Sequence, residues 1–116
     1  MEEFKPFTVK RPWGEFRQLT HNSLSTVKVH RIKPGEENSW QSHTKRAEFW
    51  HIVSGSGSIL VEDKKYGVSS GDEYSAKVGE KHRWIAGPEG MILVEVATGD
   101  FDEEDITRYE DKYGRA

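Results

Sequence analysis

Turn-forming residues recur about every eight to twelve positions along this chain, and this spacing constrains its fold more than any other feature. Short runs rich in β-branched and aromatic residues lie between the turns, at 25–32, 47–53, 58–62, 82–86 and 91–97. In the first run Val27 and Val29 alternate with Lys28 and His30, which is the period of a strand with one solvated face. Many short strands at this spacing predict an all-β sandwich or barrel.

Four further segments refine this prediction. Residues 54–57 and 87–90 are rich in Gly, Ser and Pro, and we predict turns there. The almost continuously apolar run 91–97 predicts a buried central strand. Glu95 interrupts that run; we expect it to face solvent, the alternative being contact with a metal ligand. Residues 102–111 begin with acidic residues, which favour a helix N-terminus, so we predict a short C-terminal helix.

Length and composition exclude several classes of protein. The chain has 116 residues and no cysteine, which predicts one domain over 1–116 and excludes disulfides, thiolate zinc sites and cysteine catalysis. No apolar run approaches the roughly 20 residues that cross a bilayer, and the start has no signal-peptide layout. We therefore expect a cytoplasmic protein with no membrane partner. The basic residues form no clustered stripe, so we expect no nucleic-acid partner either.

Two histidines, a glutamate and a glutamine fall at spacings that let them converge. Gln41 and His43 point to the same side of an extended strand, because side chains alternate. A short turn then lets Glu48 begin the next strand beside them, and His82 begins a later strand after a glycine turn. Each residue alone is an ordinary polar side chain. Together they predict a mixed nitrogen and oxygen site suited to zinc, manganese, iron, cobalt or nickel.

These spacings match both motifs of the cupin superfamily. The first motif matches at Gly35, Gln41, His43, Glu48 and Gly55, and the second at Gly71, Gly79 and His82, with Lys77 where the motif has proline. A narrower resemblance is carried by Arg11-Pro12-Trp13-Gly14, Arg46-Ala47-Glu48-x-Trp50 and Glu104-Asp105-Ile106-x-Arg108. In these segments the chain resembles the C-terminal domain of type II phosphomannose isomerases, the bifunctional mannose-6-phosphate isomerase/mannose-1-phosphate guanylyltransferases.

The resemblance implies a single cupin domain, a double-stranded β-helix or jelly-roll barrel. It also implies a metal-dependent isomerase that interconverts mannose 6-phosphate and fructose 6-phosphate, so the expected partner is a small-molecule sugar phosphate. The implied metal ligands are Gln41, His43, Glu48 and His82, and Arg46 is the implied active-site arginine. Zinc is the first expectation for the divalent ion, with manganese, cobalt, nickel or iron as alternatives.

The chain departs from this family at three positions next to the motif. The family commonly has histidine where this chain has Thr44, Lys45 and Phe49, so candidate proton carriers are lost. The larger enzymes also carry a guanylyltransferase domain ahead of this one. These 116 residues contain none, and we do not expect this chain alone to make GDP-mannose.

Aldose–ketose isomerisation requires a cation for the phosphate and a base for the proton. Arg46 or Lys45 is the expected phosphate ligand, and Lys77 and Arg108 are further candidates. A metal-bound hydroxide, Lys45 or a neutral Lys77 is the candidate base. For both lysines we expect solvated loop charges, the alternative being this role at the site, because lysine is seldom buried.

Two other functions fit the same residues. The first is a non-catalytic cupin that binds metal and holds or senses a sugar or sugar phosphate. The second is an oxygenase, which requires redox-active iron. A fold by itself does not distinguish these functions. In either case, small barrels with exposed edge strands often pair, so we expect a homodimer.

Overall fold

The computed structural model describes residues 4–116, and every regular element within them is a β-strand. The nine strands are β1 (Phe7–Arg11), β2 (Gly14–Gln18), β3 (Ser25–Ile32), β4 (Trp40–Ser42), β5 (Arg46–Val61), β6 (Lys64–Ser69), β7 (Glu73–Ala76), β8 (His82–Gly99) and β9 (Thr107–Glu110). The all-β prediction is therefore confirmed. This part of the chain has no helix long and apolar enough to cross a membrane.

Two long antiparallel strands, β5 and β8, form the centre of the fold. The main sheet runs β6-β5-β8-β4-β9, with β3 also paired to β8 and β7 also paired to β5. Strands β1 and β2 form a separate two-stranded hairpin. β5 and β8 pair along most of their length, from Arg46↔Gly99 to Val61↔His82.

The predicted turns at 54–57 and 87–90 are wrong, since both segments lie inside long strands. The β5–β8 register shifts here, which marks bulges rather than chain reversals. A Cβ on Gly55 would lie 2.2 Å from the Gly90 carbonyl oxygen, and one on Gly57 would lie 2.1 Å from that of Ile85. These glycines allow the backbones of β5 and β8 to approach closely. In the sequence, glycines needed for such close contact look the same as glycines of a turn.

The predicted C-terminal helix over 102–111 is also wrong. The chain turns at 102–105 and then forms β9, which pairs antiparallel with β4. The acidic side chains bind backbone groups locally instead of starting a helix: the Asp102 carboxylate accepts a hydrogen bond from the Glu104 amide at 2.9 Å. β9 thereby gives β4 a hydrogen-bonding partner that a helix cannot supply.

The core lies inside the barrel and is formed by side chains of β5, β6, β7 and β8. It contains Trp50, Ile52, Ile59, Val61, Val68, Ala76, Trp84, Ala86, Met91 and Leu93. The predicted buried strand at 91–97 is confirmed, but Glu95 is only 4% exposed and does not face solvent. On β3 the predicted alternation holds with the opposite phase, because Val27 and Val29 are 59% and 52% exposed while Lys28 and His30 are half-buried.

Candidate metal centre

His43, Glu48 and His82 meet at one end of the barrel interior. His43 follows β4, Glu48 lies on the inward face of β5, and His82 begins β8. Each residue is only 2% exposed, and their potential ligand atoms all lie within 4.8 Å of one another. His43 Nε2 is 3.1 Å from Glu48 Oε2, and His82 Nε2 is 3.2 Å from Glu48 Oε1. The structure thus brings three of the four predicted ligands together.

Hydrogen bonds orient both imidazoles toward the carboxylate. His43 Nδ1 is 2.8 Å from the Asp105 carbonyl oxygen, and His82 Nδ1 is 3.1 Å from that of Glu80. Because a carbonyl oxygen only accepts, both Nδ1 atoms donate and both Nε2 atoms face Glu48. His82 Nε2 is buried without a hydrogen-bond partner. Two imidazole nitrogens and a carboxylate that converge in this way require protons or a metal ion between them, and they fit a divalent ion.

The carboxylate of Glu48 is ionised in spite of its burial. Desolvation raises its pKa, but the His43 and His82 imidazoles beside it outweigh this and hold the pKa well below its usual range. A metal ion would therefore find the carboxylate in its ligating form.

Gln41, the fourth predicted ligand, lies beside His82. The two residues are direct partners in the β4–β8 register, so their side chains share one face of the sheet. Gln41 Nε2 donates to the Ser39 carbonyl at 3.4 Å. Oε1 is therefore the atom that Gln41 offers to an ion, and its coordination stays a prediction.

Arg46 is buried against the cluster and is engaged on every side of its guanidinium. Nε donates to Glu48 Oε2 at 2.9 Å, and Nη1 donates to the Asp102 carbonyl at 3.1 Å. Nη2 lies 3.4 Å from His43 Nε2, and the guanidinium stacks 4.2 Å from the centre of the Phe101 ring. Arg46 therefore supplies positive charge to Glu48 within the site, and its guanidinium is already engaged by these contacts.

The two predicted lysines lie at the rim of the site. Both side chains are exposed, and in the described part of the chain neither Nζ makes a hydrogen bond or ion pair. The Lys45 amide donates to Asp105 Oδ2 at 2.9 Å. The turn that contains Lys77 is held beside His43, because the Gly79 amide donates to the His43 carbonyl at 2.8 Å. The catalytic roles of Lys45 and Lys77 stay predictions.

Asp105 organises this rim, and sequence reasoning placed it instead in a helix. Its carboxylate accepts hydrogen bonds from the Thr44 amide, the Thr44 hydroxyl and the Lys45 amide, while its carbonyl accepts from His43. Desolvation opposes ionisation of Asp105, but the hydrogen bonds from Thr44 and Lys45 prevail and lower its pKa from 3.8 to about 2. Asp105 thus fixes the position of the loop next to the cluster.

Glu95 and His30 lie directly behind the cluster, contrary to the expectation that both face solvent. Glu95 is the register partner of Trp50, so its side chain lies on the same face of the sheet as that of Glu48, and His30 Nε2 is 3.3 Å from Glu95 Oε1. Burial and then the Glu48 charge raise the pKa of Glu95, although the hydrogen bond to His30 opposes this rise. The alternative for Glu95, a position beside the predicted metal ligand Glu48, is therefore the one that the structure shows.

Phe49 lies on the opposite face of β5 from Glu48. Its side chain is 4% exposed and packs against Phe4, with ring centroids 5.3 Å apart. Of the three departures from the family pattern, the one at Phe49 therefore removes no group from the metal centre. Only Thr44 and Lys45 alter its rim.

Comparison with known proteins agrees with this geometry. The sequence model of a family described as "Mannose-6-phosphate isomerase C-terminal" matches residues 2–111. A mannose-1-phosphate guanylyltransferase from Salmonella montevideo is 37% identical over 109 residues, which are 92% of this chain and 23% of that protein. This chain therefore spans about a quarter of the length of that relative.

Solved structures confirm the double-stranded β-helix. An uncharacterized conserved protein with a double-stranded β-helix domain from Klebsiella pneumoniae superposes with a TM-score of 0.66 at 24% identity, covering 94% of this chain and 86% of that one. Oxalate decarboxylase from Bacillus subtilis superposes with a TM-score of 0.69 at 24% identity, covering 75% of this chain and 24% of that one. At this level of identity the likeness extends to the cupin fold alone.

Proposed function

The chain belongs to the mannose-6-phosphate isomerase C-terminal family, and we propose that it is a metal-dependent isomerase of sugar phosphates, converting mannose 6-phosphate to fructose 6-phosphate. The observation that carries this proposal is the buried His43–Glu48–His82 cluster, in which both Nε2 atoms and the carboxylate converge. The relative named as a guanylyltransferase is about four times as long, and this chain matches only 23% of it. We therefore do not propose guanylyltransferase activity for this chain.

His43, Glu48 and His82 would hold the ion, with Gln41 as the fourth ligand. When bound, a divalent ion polarises the sugar carbonyl and stabilises the negative charge that develops on its oxygen. Arg46 keeps Glu48 in its ligating orientation through the 2.9 Å hydrogen bond. The fully buried Trp50 ring, whose centre is 5.2 Å from that of His82, packs beside this imidazole.

A base must also move a proton between the two adjacent carbons. At the rim this chain offers the exposed Nζ atoms of Lys45 and Lys77, on two loops that both contact His43 or its neighbours. Asp105 restrains the backbone at Lys45, so the Nζ atom of Lys45 extends from a fixed position. Lys45 is accordingly the first residue to test as the base.

The second candidate function is a non-catalytic cupin that binds metal and a sugar phosphate. It is favoured by one observation: the rim loop carries Thr44 and Lys45 where the family has histidines, and the Thr44 hydroxyl is engaged by Asp105 at 2.7 Å. Thr44 is thus unavailable as a proton carrier. In this case the protein binds a metal ion and a sugar phosphate, but it does not turn the sugar phosphate over.

A coupled assay for fructose 6-phosphate formed from mannose 6-phosphate distinguishes the two functions. The protein is stripped with a chelator and reloaded in turn with zinc, manganese, cobalt, nickel and iron. Turnover that disappears in Glu48→Ala and persists in the exposed control Glu89→Ala would support the isomerase. Protein that binds a metal and mannose 6-phosphate but turns over with no metal would refute it in favour of the non-catalytic cupin.

A further inference from the structure

The buried position of Arg46 removes one of the two first candidates for the phosphate ligand, and the other, Lys45, is the first candidate for the base. The hydrogen-bonding and stacking contacts of Arg46 are all to Glu48, Asp102, Phe101 and His43. A sugar phosphate carries its phosphate several bonds away from the carbons that react. A cation that binds it must therefore lie at some distance from the metal cluster, on the same face of the barrel.

Arg108 lies at such a position, because the C-terminal segment forms β9 and not a helix. Gln41 is the register partner of His82 on β8 and also of Arg108 on β9. The three residues therefore form one row across β8, β4 and β9, with their side chains on one face. Neighbouring strands are about 4.8 Å apart, so the Cα atoms of Arg108 and His82 are roughly 10 Å apart.

The opposite face of β9 carries Tyr109. Ser42 and Tyr109 share a hydrogen bond of 2.8 Å between their hydroxyls. Since side chains alternate along a strand, Tyr109 on the outer face leaves Arg108 on the inner one. A one-residue irregularity between Trp40 and Gln41 produces this register.

Arg108 also has an unsatisfied donor. Its Nε is buried without a hydrogen-bond partner, and in residues 4–116 its guanidinium makes no hydrogen bond or ion pair. A buried N–H of a charged group without a partner is costly in free energy, so such groups are rare unless a ligand binds there.

We infer that Arg108 binds the phosphate group of a sugar phosphate whose carbonyl end lies at the His43–Glu48–His82 cluster. This inference rests on the proposed function. A guanidinium presents a planar fork of N–H groups that matches two phosphate oxygens, and the buried Nε of Arg108 gains a partner when phosphate is bound. Arg46 stays with Glu48 and has no part in binding the phosphate.

The test is the affinity of Arg108→Met for mannose 6-phosphate and for mannose, measured by calorimetry on metal-loaded protein. We expect affinity for mannose 6-phosphate to fall roughly 10- to 100-fold, as for loss of hydrogen bonds to a charged group, and binding of mannose to be unchanged. Arg108→Lys keeps the charge without the fork and should recover part of the loss. Arg31→Met removes an exposed arginine of β3 and is the matched control.

Three further readouts separate the possible failures. Metal content and thermal midpoint of Arg108→Met should equal those of the unmodified protein, and in the turnover assay KM should rise with little change in kcat. Unchanged affinity of Arg108→Met for mannose 6-phosphate would overturn the inference and leave the isomerase standing. An affinity that depends on Arg108 without turnover in any metal form would overturn the isomerase and support the inference. Absence of binding by the unmodified protein would overturn both.

Discussion

Replacing Arg46 with methionine should destabilise the metal-free protein far more than the zinc-loaded protein. Arg46 and Glu48 are 6% and 2% exposed, and their hydrogen bond is 2.9 Å long. Without a metal ion, Arg46 is a nearby permanent positive charge for this buried carboxylate. When zinc binds, the ion compensates the same charge, so Glu48 depends less on Arg46.

The magnitudes follow from which contacts each state loses. Removal of one partner from a buried ion pair costs about 3–5 kcal/mol, and this is the loss we expect for the metal-free protein. In the zinc-loaded protein the contacts to the Asp102 carbonyl and the Phe101 ring are still lost, for about 1–2 kcal/mol. The difference between the two states should therefore be about 1–4 kcal/mol. Zinc should in consequence stabilise Arg46→Met more than it stabilises the unmodified protein.

Urea denaturation in chelator and in excess zinc measures both values. Arg31→Met, which removes an exposed arginine that makes no hydrogen bond or ion pair in the described residues, should change the free energy of unfolding by less than about 0.5 kcal/mol in either condition. Equal losses for Arg46→Met with and without zinc would refute the reasoning. They would show that Arg46 stabilises the fold through Asp102 and Phe101, and that its bond to Glu48 contributes nothing measurable.

The remaining predictions concern acid, backbone and metal. The pKa of Asp105 is lowered from 3.8 to about 2, so its stabilising contribution is complete above about pH 4 and is lost as the pH falls to 2. Urea titrations over this range should show the free energy of unfolding decrease as the pH falls, and Asp105→Asn should make that decrease smaller. Gly55→Ala should cost at least about 2 kcal/mol, because its Cβ would lie 2.2 Å from the Gly90 carbonyl oxygen, whereas Gly67→Ala, with open space around its Cβ, should cost less than about 1 kcal/mol. His82→Ala should lose zinc binding by calorimetry while its circular dichroism stays that of a β-protein; loss of the fold would show instead that the site is structural.

The His43–Glu48–His82 cluster was predictable because its geometry follows from local rules. Alternation along β4 places Gln41 and His43 on one side, and a short loop returns the chain at Glu48. His82 needed only a tight turn before a strand. These positions depend on spacings of a few residues, which a sequence displays directly.

The residues that sequence reasoning placed wrongly depend on long-range pairing. Alternation on β3 is visible in the sequence, but its phase is set by pairing with β8, and this turns His30 inward and Val27 outward. Glu95 lies in a continuous apolar run that has no alternation to indicate its face. The segment that begins at Asp102 is acidic enough to begin a helix, and nothing local reveals that β4 needs a partner from residues 107–110.

The C-terminal segment connects these misplaced residues to the proposed chemistry. Three of its members act on different parts of one site: the Asp105 carbonyl orients His43, the Asp102 carbonyl accepts from Arg46, and Arg108 lies in the row with Gln41 and His82. The likeness of this segment to the isomerase family therefore bears on the site as directly as the metal motif does. The departure at Phe49 faces away from the candidate metal centre, and the Thr44 hydroxyl is engaged by Asp105, so Lys45 is the departure whose side chain is free to move a proton at the rim. A Lys45→Met variant that binds mannose 6-phosphate normally but loses turnover would identify Lys45 as the base; one that keeps full turnover would exclude it.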